Sequence, residues 1–212
     1  MPTTFLLLLS CTQDIFDTAA EEDGWLGGSP ETPIIVDFTE SEVEDTGVVK
    51  ENNLTEIIEE NCYVQMGTKL CDFTLTNQMG TDITLSDYSG SYILLDFSAM
   101  WCGPCQSAAA AAQDLQNNYS DKNVKYIIVL LEDYYSQELD LKDLNDWSDT
   151  FGLTTINTLG GSRALLQSSG GPYPLSSWPT FYYINKEGIV EYYHSGYSEE
   201  ALQHNLDYLT SQ

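Results

Sequence analysis

Tyr92-Ile93-Leu94-Leu95-Asp96-Phe97-Ser98-Ala99-Met100-Trp101-Cys102-Gly103-Pro104-Cys105 runs from an apolar stretch into two cysteines, and Gln106-Ser107-Ala108-Ala109-Ala110-Ala111-Ala112-Gln113 follows at once. The apolar stretch reads as a strand buried on both faces, and the alanines read as a helix. The cysteines therefore fall at a strand-to-helix junction. A helix N-terminus offers unpaired N–H groups and the positive end of its dipole, which favour an anion on Cys102. Two intervening residues put Cys105 one helical turn on, within disulfide reach. Pro104 suits the first turn, where its missing N–H costs nothing, and Gly103 lets a partner backbone approach the sulfur. With Trp101 ahead of it, the dithiol reads as redox chemistry.

A Cys-x-x-Cys also occurs as half of a zinc site or as a structural bridge. Zinc would need two more ligands. Cys62 and Cys71 lack a second short knuckle spacing, and His194 and His204 are isolated near the C-terminus, so no metal is expected.

Leu94 to Cys105 resembles the active-site strand and motif of the thioredoxin superfamily. The preceding segment, Cys71-Asp72-Phe73-Thr74-Leu75-Thr76-Asn77 through Ile83-Thr84-Leu85 to Gly90, is similar to the N-terminal hairpin of the redoxin branch. That branch includes TlpA/ResA-like thiol-disulfide oxidoreductases and peroxiredoxins. Trp178-Pro179-Thr180-Phe181-Tyr182-Tyr183-Ile184-Asn185-Lys186-Glu187-Gly188-Ile189-Val190 resembles the family's cis-proline loop with its following strand, turn and strand. The resemblance runs from about residue 66 to the C-terminus. It implies an α/β thioredoxin-like fold, a central mixed sheet flanked by helices, with an N-terminal hairpin.

The length of 212 residues suits one such domain plus extra segments. Against 33 acidic residues stand 7 basic ones, for a formal net charge of -26. Nucleic-acid binding is disfavoured, because no basic patch exists to neutralise phosphates. Anionic headgroups are repelled too, so membrane attachment needs a hydrophobic or covalent anchor. The charge itself reads as solvation and names no partner.

Leu8-Leu9-Ser10-Cys11 resembles a bacterial lipobox, in which Cys11 becomes the lipidated first residue, although no Lys or Arg precedes a rather short apolar run. Residues 1–11 are thus expected to be a lipoprotein signal segment. Residues 12–60 crowd carboxylates at Glu21-Glu22-Asp23 and Glu40 to Asp45, around Gly27-Gly28-Ser29-Pro30, and read as a flexible acidic tether. Ile34 to Phe38 is a candidate short strand within it. Residues 61–212 are then the redoxin domain, held at the outer face of a membrane.

With Cys11 assigned to lipid and Cys102 and Cys105 to the dithiol, Cys62 and Cys71 remain. A bridge between them would tack the end of the tether to the domain and add about 2–3 kcal/mol by loop closure. It would suit an oxidising compartment. Two unrelated thiols are the other reading.

Within the domain, Phe73–Leu75 and Ile83–Leu85 alternate as a hairpin. Tyr92–Ser98 and Val124–Glu132 read as central strands, and Gln106–Tyr119 as a helix. Leu141, Leu144 and Trp147 mark a helix over Leu139–Phe151, stopped by Gly152. Thr154–Asn157 is a candidate strand, and Arg163–Leu166 a helical turn. Phe181–Ile184 and Ile189–His194 pair across Asn185 to Gly188. Ser198 caps a terminal helix opened by Glu199 and Glu200.

Asp96 stands inside an apolar strand, where an ionised carboxylate costs several kcal/mol unless partnered, so its pKa is expected to rise. A structural Asp bonded to backbone or water is the alternative. By resemblance it matches the buried acid that accepts and returns the proton of the resolving cysteine. Thioredoxins place a lysine near this acid on the next strand, and an ungapped reading puts Val129 there. The family match also makes Pro179 the cis-proline whose preceding backbone pairs with an incoming substrate chain. Trp178 stands where the family has smaller residues, either lining that groove or simply packing. Gly196 matches a family glycine beside the groove, or else is the turn into the last helix.

The resemblance implies a thiol-disulfide oxidoreductase. Cys102 attacks a substrate disulfide and Cys105 releases the product, with no cofactor beyond that redox-active pair. Gly103-Pro104 resembles the dipeptide of reducing members. The peroxidase motif Pro-x-x-x-Thr-x-x-Cys is absent, since Ser98-Ala99-Met100-Trp101-Cys102 stands in its place. The expected partners are disulfide-bearing client proteins and a membrane thiol donor, with the chain itself a monomer. A thiol peroxidase and a tethered non-catalytic interaction module are the competing readings.

Overall fold

The structure, a computed structural model, describes residues 54–212. Cys11, the candidate strand 34–38 and the acidic segment as far as residue 53 lie outside the described residues. One mixed sheet holds β1 (Glu56–Ile58), β2 (Phe73–Asn77), β3 (Asp82–Thr84), β4 (Tyr92–Ser98), β5 (Val124–Leu130), β6 (Asn157–Gly160), β7 (Thr180–Ile184) and β8 (Val190–Ser195). The strand order is β1-β2-β6-β5-β4-β7-β8, with β3 on β2. The central strands β4, β5 and β6 are parallel, while β7 runs antiparallel to β4 and β8 antiparallel to β7.

Among the described residues three α-helices accompany the strands: α1 (Gly103–Asn118), α2 (Leu141–Phe151) and α3 (Glu199–Thr210). α2 starts at a reciprocal cap, with the Asp143 N–H on the Asp140 carboxylate and the Asp140 N–H on that of Asp143, both at 2.9 Å. It ends at Gly152, whose φ of 64° is left-handed and suits glycine. α3 begins at the Ser198 cap and buries Leu202, Leu206 and Leu209 on one stripe. Burial of each leucine, about 1.5–3 kcal/mol, outweighs the ~1 kcal/mol of the cap in holding this helix.

Alternation along the central strands builds two cores. Leu94, Tyr126, Ile128 and Leu130 face the side on which Cys105 and Ala108 of α1, Leu144 and Trp147 of α2, and Leu206 of α3 cluster. Ile93, Leu95, Phe97, Ile127 and Val129 face the other side, which Phe73, Leu85, Leu165, Tyr173 and Val190 close. This is the α/β thioredoxin-like architecture that the sequence implied.

Some boundaries differ from the sequence reading. Glu56–Ile58 pairs antiparallel with β2, Ile57 opposite Thr74, so the sheet begins inside the segment read as tether to residue 60. The strand expected over Thr154–Asn157 lies instead at Asn157–Gly160. The Thr154 and Thr155 N–H groups are taken by the Gln113 side chain on α1, at 2.7 and 3.1 Å, and cannot enter the ladder. Leu85, expected in the hairpin, begins a 3-10 turn.

Candidate active site

Cys102 is the N-cap of α1, its backbone still extended at φ -83°, ψ 112°. Its sulfur accepts the Cys105 N–H at 3.2 Å, so one of the helix's orphan donors points at the atom that would carry negative charge. The two cysteines are joined as a disulfide, with Cα atoms 5.2 Å apart. Pro104 sits in the first turn, as expected, and that turn carries no acidic residue despite the chain's acidity. No carboxylate in this turn therefore competes for the dipole.

The β5 end grips the loop leading to Cys102 at two points. The Met100 N–H donates to the Glu132 carbonyl at 3.0 Å, and the Trp101 indole N–H to the Glu132 carboxylate at 2.7 Å. Glu132 is buried and also pairs with Arg163, whose side chain is largely exposed. Gln106 adds a third hold by donating to the Met100 carbonyl at 2.7 Å. Sequence reasoning missed Glu132 and Arg163. The available signal was a carboxylate closing an apolar strand, at the edge that carries the dithiol.

The Trp178–Pro179 bond is cis. Trp178 meets Trp101 edge to face, ring centroids 5.9 Å apart, so it packs within the protein and also borders the active-site loop. Gly196, with φ 87°, donates its N–H to the Pro179 carbonyl at 2.7 Å. A side chain would be strained in that conformation. The structure thus brings Trp101, Trp178, Pro179 and Gly196 to one edge of the sheet.

Asp96 is fully buried in β4, and among the described residues its carboxylate is held by two side-chain hydroxyls. Ser98 donates to its Oδ1 at 2.7 Å and Tyr126 to its Oδ2 at 3.1 Å. Burial pushes its pKa up to about 7, and the two hydroxyls pull against that rise. Register places Ile128 opposite Asp96, and Val129, the next residue, faces the other side of the sheet. Tyr126 was not anticipated. It lies two residues before Ile128 and so shares its face, a relation visible only once strand pairing is known.

Cys62 and Cys71 are joined as a second disulfide, Cα atoms 5.7 Å apart. Cys71 is buried and its carbonyl accepts the Tyr173 hydroxyl. Among the described residues, no three His, Cys, Asp or Glu side chains gather as a metal site. His194 lies against Phe181, Tyr183 and Tyr192 instead.

Comparison with known proteins agrees with this geometry. The thioredoxin-like protein YneN of Bacillus subtilis is 29% identical over 147 residues, 68% of this chain and 80% of its own length. The thiol-disulfide oxidoreductase ResA of Geobacillus kaustophilus is 27% identical over 155 residues, 72% of this chain and 83% of its own. Among solved structures, one named a thiol:disulfide interchange protein DsbE, from Chlorobium tepidum, superimposes with a TM-score of 0.59. It is 25% identical and covers 69% of this chain and 99% of its own. The exposed lipoprotein thioredoxin Etrx1 of Streptococcus pneumoniae gives a TM-score of 0.53 at 27% identity, covering 65% of this chain and 99% of its own. The AhpC/TSA profile matches residues 66–193, more than half of the sequence and the span that holds hairpin, dithiol and cis-proline, and the chain therefore belongs to the AhpC/TSA family.

Proposed function

We propose that this thiol-disulfide oxidoreductase reduces or exchanges disulfides of extracytoplasmic proteins through Cys102 and Cys105. One observation carries the reading: the Cys102 sulfur is the N-cap acceptor of α1, aligned with the helix dipole and with Cys105 one turn behind it. In the reduced enzyme the Cys102 thiolate attacks a client disulfide, releases one client thiolate and leaves a mixed disulfide. Cys105 gives its proton to Asp96, and its thiolate attacks the Cys102 sulfur. The second client thiolate leaves, and Cys102–Cys105 is oxidised as the client is reduced by two electrons. Cys105 is wholly buried and Cys102 keeps 3% exposure, and in this reading Cys102, the sulfur at the helix N-cap, meets the client.

The Trp178–Pro179 backbone lines the groove in which the client chain lies, in the manner of an added strand. An extracytoplasmic setting is supported by the Cys62–Cys71 disulfide and by the likeness to an exposed lipoprotein. Attachment is through lipid on Cys11, with a membrane thiol donor restoring the dithiol. Among the described residues no helix is long and apolar enough to cross a membrane.

Trapping tests this function. Cys105→Ser incubated with exported proteins should accumulate conjugates that dithiothreitol releases, and Cys102→Ser should accumulate none. Equal absence of conjugates from both, with no reduction of insulin by the wild type, would overturn the reading.

A further inference from the structure

We propose that Tyr126 is a positioning residue for proton transfer at Asp96, holding the carboxylate jointly with Ser98 so that the acid works without a cationic partner. The proposal rests on the reading of Asp96 as proton acceptor for Cys105.

The argument starts from register. Asp96 pairs with Ile128 across parallel strands, and side chains two apart on one strand share a face. Tyr126 therefore projects to the side of the sheet on which Asp96 and the α1 cysteines lie, and its hydroxyl meets Asp96 Oδ2 at 3.1 Å. Ser98 meets Oδ1 at 2.7 Å, from two residues along the same strand. Each carboxylate oxygen thus has one neutral O–H donor. Among the described residues no cation pairs with Asp96.

The other titratable groups facing this pair are Tyr183 from β7, Tyr197 ahead of α3, and the dithiol at the start of α1. Burial holds the Tyr126 phenol well above its ordinary value, with the Asp96 charge adding to the effect, so Tyr126 keeps its proton in either state of the acid. Tyr183 and Tyr197 are raised as well, chiefly by burial. Near neutral pH the three phenols therefore keep their protons, and Asp96 changes charge.

That arrangement has a chemical consequence. A buried lysine beside the acid would favour the carboxylate strongly and draw its pKa down. Two hydroxyls favour it more weakly and leave the acid poised near neutrality. The step is a proton transfer alone: Cys105 S–H loses its proton to the Asp96 carboxylate, and Tyr126 and Ser98 go on donating to the same two oxygens. When the thiol next forms on Cys105, the proton returns.

The test is Tyr126→Phe in the full chain, read by carbon NMR titration of the Asp96 carboxyl and by the pH profile of mixed-disulfide resolution. Losing one hydrogen bond to a charged acceptor should raise the Asp96 titration and the profile by about one to two pH units. Resolution at pH 7 should slow about tenfold by the same shift. In an Asp96→Asn background, Tyr126→Phe should leave the profile unchanged, which a merely structural role would not guarantee. Should Tyr126→Phe fail to fold, Ser98→Ala must move the Asp96 titration in the same direction. A Tyr126→Phe profile superimposed on the wild type, while Asp96→Asn alters it, overturns the role of Tyr126 alone. A profile unmoved by Asp96→Asn removes the proton-acceptor reading and this proposal with it.

Discussion

The Trp101 indole N–H lies 2.7 Å from a Glu132 carboxylate oxygen, and the other oxygen of Glu132 pairs with Arg163, the single arginine of the chain. A buried carboxylate needs such partners, and one of them, Trp101, directly precedes Cys102.

Glu132→Ala should accordingly cost about 1–3 kcal/mol of stability through the lost hydrogen bonds. Freed of its anchor, Trp101 should shift its fluorescence to the red, and KM for a protein disulfide should rise more than kcat falls. Glu132→Gln keeps an acceptor for the indole and should retain most of the emission. An unchanged spectrum and KM in Glu132→Ala would count against this anchoring role.

Asp96→Asn should alter the pH dependence of stability. The unfolded carboxyl releases its proton near 3.8 and the folded one at about 7, so the folded state binds the extra proton across that window. Stability conferred by the protonated acid is full below the unfolded value and is lost as pH rises through the folded one. Denaturant unfolding should therefore show wild-type stability declining from pH 4 to pH 7. At pH 8, Asp96→Asn should exceed wild type by about 2–4 kcal/mol. Parallel curves for the two proteins would refute the burial argument.

Removing the second disulfide in a Cys62→Ala, Cys71→Ala double variant should lower stability by about 2–3 kcal/mol, the loop-closure value for so short a loop. The Cys102–Cys105 pair lies elsewhere in the fold, so insulin reduction should stay within about twofold of wild type at temperatures where the variant is folded. Loss of activity in a folded double variant would show that the two bridges are coupled.

Peroxide turnover should be no faster than that of Cys102→Ser carrying its remaining thiols, because the threonine and proline of the peroxidase motif are absent ahead of Cys102. A peroxidatic burst that follows Cys102 in coupled peroxide consumption would reverse this assignment.

Much of the fold was legible because its signals are local. Tyr92–Ser98, the alanine-rich α1, the Ser198 cap and the Gly152 stop each follow from residues within a turn or a strand of one another. Where distant groups compete for the backbone, local signals failed. Gln113 on α1 takes the Thr154 and Thr155 donors and moves β6 onward, and Glu56–Ile58 becomes a strand only because β2 offers an edge.

By itself the sequence determined the dithiol, its place at a strand-to-helix junction and the buried acid in the strand before it. Those are matters of spacing and of apolar pattern, which the chain carries in short stretches. Tertiary structure alone decided the partners: Tyr126 and Ser98 for Asp96, Glu132 and Arg163 for Trp101, Trp178 against Trp101, and Gly196 against Pro179. Most of these contacts join residues far apart in the chain. A hydrogen bond needs its atoms within about 3 Å, and only the register of packed strands sets that distance.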